Sequence, residues 1–425
     1  MQQRKQSWRR AAAVVGAALL VVAACSGPSG SGAGGSVTVI GTWGGDEEAA
    51  FKQMVAPWEQ QTGNTVKYTG TRDLNAVLTT GVASGVLPDL AGLPGPGQMA
   101  DFAAAGALKP LDGVLDVAQY KADTAPALVE LGTIDGKIQG VFIKAAVKGL
   151  IWYSPKLHDW ATPPATWDDL VSEAEANQGD AAAIWCVGVE SGAASGWPGT
   201  DWIEDIVLRQ AGPDKYDEWW QGTLKWSSPE IKSAFETFGE VVANADGGAN
   251  TVLTTNFEVG GDGLFADPPG CVFHHQASFI TGLGAFKDAA AGTDYNFFPF
   301  PDIDPQFTGA VEGAGDLFGM FHDTEAAKSL MKYLVTAEAQ DIWVEIGGAL
   351  SANKNATSYP DDIAKRSAEL LTNAKVFAFD ASDLMPTAMN QAFWTAILDY
   401  IQNPGNLDQI LTDLDAVQAD AYGGG

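Results

Sequence analysis

The 425-residue chain is short of cysteine, histidine and positive charge. Three cysteines cannot build a disulfide-dense scaffold or a four-thiolate metal centre. Four histidines offer little to metal chemistry, and the adjacent His274 and His275 point to opposite faces of a strand, so they cannot close on one ion. With 24 Lys+Arg against 53 Asp+Glu the formal charge is −29, which makes nucleic acid and anionic lipid surfaces poor partners and suits solubility outside the cell. No P-loop pattern, no Gly-x-Gly-x-x-Gly opening a helix after a strand and no Gly-x-Ser-x-Gly elbow occurs. Nucleotide chemistry and a serine-hydrolase centre therefore lack their signatures, and no cofactor or metal is expected. Gly92, Gly95 and Gly97, interleaved with Pro94 and Pro96, read as a turn.

The N-terminal segment has a purpose of its own. Arg4, Lys5, Arg9 and Arg10 precede an apolar, small-residue run over 11–24, the layout of a secretory signal and too short to span a bilayer. It ends in Val22-Ala23-Ala24-Cys25, which resembles the lipobox of bacterial lipoproteins; the resemblance implies that residues 1–25 are a lipoprotein signal and that Cys25 is diacylated. Two acyl chains suffice for stable anchoring. Residues 26–35 are a Gly/Ser tether. The remaining roughly 390 residues suit two domains. Cys186 and Cys271 are left over, and in an oxidising compartment they form a disulfide or stay as two separate buried thiols.

From Val37 onward strand-like and helix-like patterns alternate, predicting an α/β protein with mainly parallel sheets. Residues 37–40 form a β-branched run, and Asp46, Glu47 and Glu48 supply the acidic first turn of a helix. Phe51, Met54, Val55 and Trp58 share one face of that helix, and Gly63 stands at its stop. A second strand over 65–69, a helix over 73–84 and a third strand entry at 87–90 follow. Further strands are expected at 149–153, 184–187, 271–274, 295–298 and 316–320, with a helix over 167–177 opened by Thr166 and Asp169 in a near capping box.

The chain carries 14 Trp. Aromatics at helical spacing are usually core, so those in loops beside Gly, Asp or Glu are the informative ones. Trp43 follows strand one in Thr42-Trp-Gly-Gly-Asp-Glu-Glu48, where ligands of open α/β sheets sit. Trp197, Asp201 and Trp202 lie in Ser195-Gly-Trp-Pro-Gly-Thr-Asp-Trp202, and Trp394 follows Phe393 after Met385-Pro. Flat aromatic faces with carboxylates nearby are what a sugar ring and its hydroxyls need.

This order of motifs resembles the family 1 extracellular solute-binding proteins of bacterial ABC importers, the group with the maltose- and α-glucoside-binding lipoproteins, over essentially the whole mature chain. Trp43, Gly45, Asp46 and Glu47 stand where that family's first strand meets the sugar, and Trp152-Tyr-Ser-Pro-Lys156 resembles its crossover signature, with Ser154 for Asn. His275-Gln-Ala-Ser-Phe279, giving Ser278 and Phe279, resembles its small-residue turn and stacking aromatic; Ala392-Phe-Trp394 resembles its late tryptophan, and Gly313-Ala-Gly-Asp316 its second crossover. Lys144 and Lys148, near the first crossover, either bond hydroxyls or stay exposed.

The resemblance implies an α/β, two-lobed periplasmic-binding-protein-like fold (type II) with a hinge and a ligand cleft. Lobe one would comprise 36–143 plus 300–348 and lobe two 144–299 plus 349–425. It implies a monomeric binder, not an enzyme, that closes on a sugar such as maltose, trehalose or a related α-glucoside and docks on the membrane permease subunits of an ABC importer, touching the membrane through its lipid anchor only. A secreted glycosidase using Asp46, Glu47 or Glu48 is the rival reading, although acids in a first helical turn are expected structurally. A binder of a non-sugar solute such as a polyamine is the third, and would want a denser acidic cage.

Overall fold

The computed structural model describes residues 34–160 and 162–423; Cys25 and the signal segment lie outside the described residues. The chain opens with three βα units: β1 (Ser36–Gly41), α1 (Gly45–Thr62), β2 (Thr65–Gly70), α2 (Leu74–Ser84), β3 (Leu90–Leu93) and α3 (Pro96–Ala104). The face predicted for α1 is the buried one, with Phe51, Met54, Val55 and Trp58 all inside. Each such side chain contributes about 1.5–3 kcal/mol by leaving water. Gly63 takes the left-handed conformation at φ 71° and its N–H closes on the Glu59 carbonyl, ending the helix. The Gly/Pro segment predicted as a turn differs: Gly92 lies within β3, Gly95 is the N-cap of α3, and Pro96 occupies the first helical position, where its missing N–H costs nothing.

Short elements α4 (Val117–Asp123), α5 (Pro126–Leu131), β4 (Thr133–Ile134) and β5 (Lys137–Ile138) lead into β6 (Gly140–Val147) and β7 (Leu150–Tyr153). Then come α6 (Trp167–Ala176), capped by Thr166 as expected, β8 (Ala183–Cys186), α7 (Trp197–Gln210), α8 (Pro213–Trp220), α9 (Pro229–Ala243), α10 (Gly248–Thr254), β9 (Cys271–Gln276) and β10 (Asn296–Pro299). The chain closes with β11 (Ala310–Met320), α11 (Glu325–Leu334), α12 (Ala337–Ile346), α13 (Asp362–Asn373), β12 (Val376–Phe379), α14 (Ala381–Leu384), α15 (Thr387–Gln402) and α16 (Leu407–Gly423). No described helix is long and apolar enough to cross a membrane.

Two main sheets result. Sheet one runs β12-β11-β3-β1-β2, with β6 also paired to β11; sheet two runs β10-β7-β9-β8. The expectation of mainly parallel sheets needs correction, because both sheets are mixed. The βα units pair in parallel, but β11 lies antiparallel to β3 and β6, and β7 lies antiparallel to β9 and β10. The reversal has a topological cause: β6 leads out of sheet one into β7 of sheet two, and β11 returns the chain, so β11 runs against β3 and β6 in sheet one and β7 runs against β9 in sheet two. The turn between β6 and β7 depends on Gly149, which sits at φ +66°, and a Cβ there would collide with the Asp205 carboxylate.

Sheet two is packed by tryptophan. Trp185 meets Trp202 edge-on at 5.0 Å, and Trp167 stacks on Trp185 at 5.8 Å. The Cys186–Cys271 disulfide joins the end of β8 to the start of β9 with Cα atoms 5.4 Å apart, wholly within sheet two. Of the two states open to these cysteines, the structure has the bonded one.

Candidate functional site

The carboxyl ends of β1, β2 and β3 face a cavity of ≈ 170 Å³, the place where ligands of open α/β sheets bind. The loops and helix starts that follow sheet one's strands contribute Trp43 and Glu47 after β1, Arg72 and Asn75 after β2, and Gln98 from α3. The crossover strands add Lys144 and Asp316, while Trp197, Asp201, Phe257, Phe279, Asp380, Asp383 and Trp394 close the opposite side.

Two ion-pair sets occupy the cavity. In the first, Lys144 Nζ donates to Glu47 Oε1 at 2.6 Å and lies 3.8 Å from Asp316 Oδ2. Arg72 reaches Glu47 Oε2 at 3.8 Å and Glu258 at 3.5 Å, with its guanidinium 4.8 Å from the Phe257 ring. Burial alone would lower the Lys144 ammonium, but Glu47 and Asp316 outweigh it and hold it above its usual value. Burial pushes Asp316 up to about 6 against the pull of Lys144, with the neighbouring Trp43 side chain also favouring the charged form. Trp43, Phe279 and Trp343 surround the Lys144 ammonium at 5.7, 5.6 and 4.8 Å.

In the second set, Lys148 Nζ donates to Asp201 Oδ1 at 2.7 Å and Asp380 Oδ2 at 2.6 Å. Burial pushes Asp201 up to about 7 although Lys148 opposes it. Asp380 feels the same burial penalty, but Lys148, the Asp383 N–H and the Ser382 hydroxyl overcome it and hold that carboxyl below its usual range. Asp201, Glu204 and Asp380 are close enough together to suggest a cation site, yet the Lys148 ammonium already supplies the charge between two of them.

Seven residues singled out in the sequence line this cavity: Trp43, Glu47, Trp197, Asp201, Phe279, Asp316 and Trp394. Trp43 does so by an edge, since it is 2 % exposed and wedged against Phe51, Phe318 and Trp343. Four do not line it. Trp202 belongs to the sheet-two core, 4.2 Å from the His275 ring; Trp197 and Asp201, four residues apart, share the cavity face of α7, and the next position turns about 100° inward. Gly45 is exposed, and Asp46 sits on the rim bonded to Lys287 at 2.6 Å. The buried Ser278 hydroxyl accepts the Val147 N–H at 3.2 Å and so braces β6. His274 and His275 part company as expected, one ring bonded to the Cys186 carbonyl and the other to Asp205.

Arg72, Gln98, Asp380 and Asp383 escaped the sequence reading. Asp380 and Asp383 could have been noticed only as a helix cap, because Asp380 accepts the Asp383 N–H. Lys144 and Lys148 are buried and paired; the alternative of two exposed lysines is corrected by their four carboxylate partners.

Two mixed sheets joined by crossover strands, with a cavity at the strand ends lined by aromatic and charged groups, define the two-lobed solute-binding class. The chain belongs to the bacterial extracellular solute-binding proteins, whose family pattern matches residues 44–341. That family supplies the substrate-binding proteins of ABC transporters. Over 388 residues it is 37% identical to the osmoprotective compounds-binding protein GgtB of Synechocystis sp. (strain ATCC 27184 / PCC 6803 / Kazusa), covering 89% of this chain and 91% of that one. It is 35% identical over 393 residues to the alpha-glucosides-binding periplasmic protein AglE of Rhizobium meliloti (strain 1021), covering 88% and 85%. Among solved structures, a chitin oligosaccharide binding protein superposes with a TM-score of 0.79 at 20% identity, covering 92% of this chain and all of that one.

Proposed function

We propose that this protein is the sugar-binding component of an ABC-type carbohydrate importer and that its ligand is a compact α-glucoside. The observation that carries the reading is the Glu47–Lys144–Asp316 set beside the faces of Trp197, Phe279 and Trp394 in one cavity. Paired charges offer fixed donors and acceptors to hydroxyls, and the rings offer apolar faces to the C–H side of a sugar. A cavity of ≈ 170 Å³ favours one or two rings over a long glucan. Relatives named for osmoprotective compounds and for alpha-glucosides, at 37% and 35% identity, point the same way, because a small glucoside suits both descriptions.

Lobe one is the set of layers on sheet one, mainly 36–143 plus 300–348 with β12 added from the C-terminal segment; lobe two is the set on sheet two. Contacts made to both lobes favour the closed form, and only that differential affinity drives closure. The chain acts as a binder without catalysis, anchored through acylated Cys25 and docking as a monomer on the permease.

Tryptophan fluorescence of the chain lacking residues 1–35, titrated with maltose, trehalose, sucrose, α-glucosylglycerol and spermidine, tests this. A saturable change with a sugar that is recovered unchanged is expected. Hydrolysed product would replace the reading with a glycosidase, and a response to spermidine alone would replace it with a polyamine binder.

A further inference from the structure

The cavity has an annex. A space of ≈ 20 Å³ opens between the start of α3 and the start of α15, and it shares Asn75, Gln98, Asp383 and Trp394 with the main cavity. Its walls are held tightly. A Cβ on Gly97 would strike the Met385 carbonyl, so α3 lies directly on the chain entering α15, and the Thr387 N–H donates to Asp101 Oδ2 at 3.0 Å.

Four buried polar atoms of the lining residues find no partner among the described residues: Gln98 Oε1, Thr387 Oγ1, Asn390 Oδ1 and Trp394 Nε1. Thr387, Asn390 and Trp394 follow one another at i, i+3 and i+7, so one face of α15 supplies three of them. An unsatisfied buried polar group costs about 1–3 kcal/mol. Four around one small space therefore mark a place that something else completes. The set contains two acceptors, one donor and one hydroxyl that does either. A water answers all four, and a ligand hydroxyl taking its place answers three, accepting from the indole N–H and the Thr387 hydroxyl and donating to one amide oxygen; an ammonium would leave the indole N–H unmatched and a carboxylate would meet the two amide oxygens. The volume admits about one water-sized group and no ring.

We propose that the annex is a specificity subsite that seats one hydroxyl-bearing arm of the sugar held in the main cavity. The inference rests on the sugar-binding reading above. Its test is isothermal calorimetry on the mature chain and on the Thr387→Val and Asn390→Leu variants, with trehalose, sucrose and α-glucosylglycerol and their monodeoxy analogues, each variant first checked for an unchanged melting temperature. For a sugar that binds, both variants should lose about tenfold or more in affinity, while the analogue lacking the seated hydroxyl binds variants and unaltered chain equally. Unchanged affinity in both variants overturns the proposal, since the annex then holds at most a water independent of ligand. Equal losses for the parent sugar and every deoxy analogue overturn it too, because the effect is then structural. Failure of the unaltered chain to bind any sugar removes the functional reading itself, and this inference with it.

Discussion

Lys144 and Lys148 stand four residues apart at the end of one strand, each buried and each paired with two carboxylates, yet their surroundings divide their work. The partners of Lys144 remain open to the cavity: the side chains of Glu47 and Asp316 are 12% and 20% exposed. Those of Lys148 line the same cavity but are almost closed off from water, with Asp201 and Asp380 at 2% and 3%. A ligand hydroxyl can therefore enter the first set and exchange for water there. The second set brings together β6, α7 and α14 across 53 and 232 residues of sequence and works as a brace. Similar charges in one cavity are thus open to a solute where water reaches them and serve architecture where it does not.

The sharpest way to break this contrast is Lys148→Met. Removing the cation strands Asp201 and Asp380 together in a dry site, and the expected loss is about 3–5 kcal/mol of stability. Urea unfolding measures it, and Lys148→Met with Asp201→Asn should recover part of the loss. A stable Lys148→Met that fails only in sugar binding would make Lys148 a recognition residue after all. Next in size, Cys186→Ser with Cys271→Ser should cost about 2–4 kcal/mol by freeing the unfolded chain. The bond lies in sheet two away from the cavity, so sugar affinity should stay within about twofold. Lys144→Met should show the reverse pattern. Sugar affinity falls about tenfold, equivalent to about 1.4 kcal/mol, and the urea midpoint moves less than for Lys148→Met because water reaches Glu47 and Asp316.

How far these roles can be read from sequence depends on the range of the interaction. The face of α1, its stop at Gly63 and the cap at Thr166 were legible because each is decided within a few residues. The loop after β1 was legible as cavity lining because the strand ends of open sheets frame a crevice. Trp202 misled because loop composition marks a neighbourhood, whereas helical phase decides which of two adjacent side chains enters it. Asp380 carried only the signal of a helix cap, since its place in the cavity comes from a lysine 232 residues away. The mixed sheet order was hidden for the same reason: nothing local tells a crossover strand from the strand of a βα unit.

The buried acids also set a pH response, the smallest effect expected here. Asp201 is pushed up to about 7 and Asp316 up to about 6 by burial, against about 3.9 for an unfolded aspartate. A raised carboxyl binds more protons in the folded chain, so its stabilising contribution is complete below about pH 4 and disappears as pH climbs through 6 and 7. Burial also raises Glu204, Glu312 and Asp383, which extends the loss in the alkaline direction. His274 works oppositely. Burial lowers it to about 4, so its contribution is complete above about pH 6.5 and is lost as pH falls toward 4. The raised acids outnumber the one lowered histidine, so these groups together lose stability as pH rises from about 4 through 7, on the order of 1 kcal/mol of it between pH 6 and 7.5. Urea midpoints from pH 4 to pH 8 trace the decline, and Asp201→Asn should make it shallower, with His274 opposing it below about pH 6.5. If the curve instead rises steadily to pH 8 and Asp201→Asn leaves its shape intact, Asp201 is ionised throughout, and the Lys148 set would resemble the Lys144 set in being open to water.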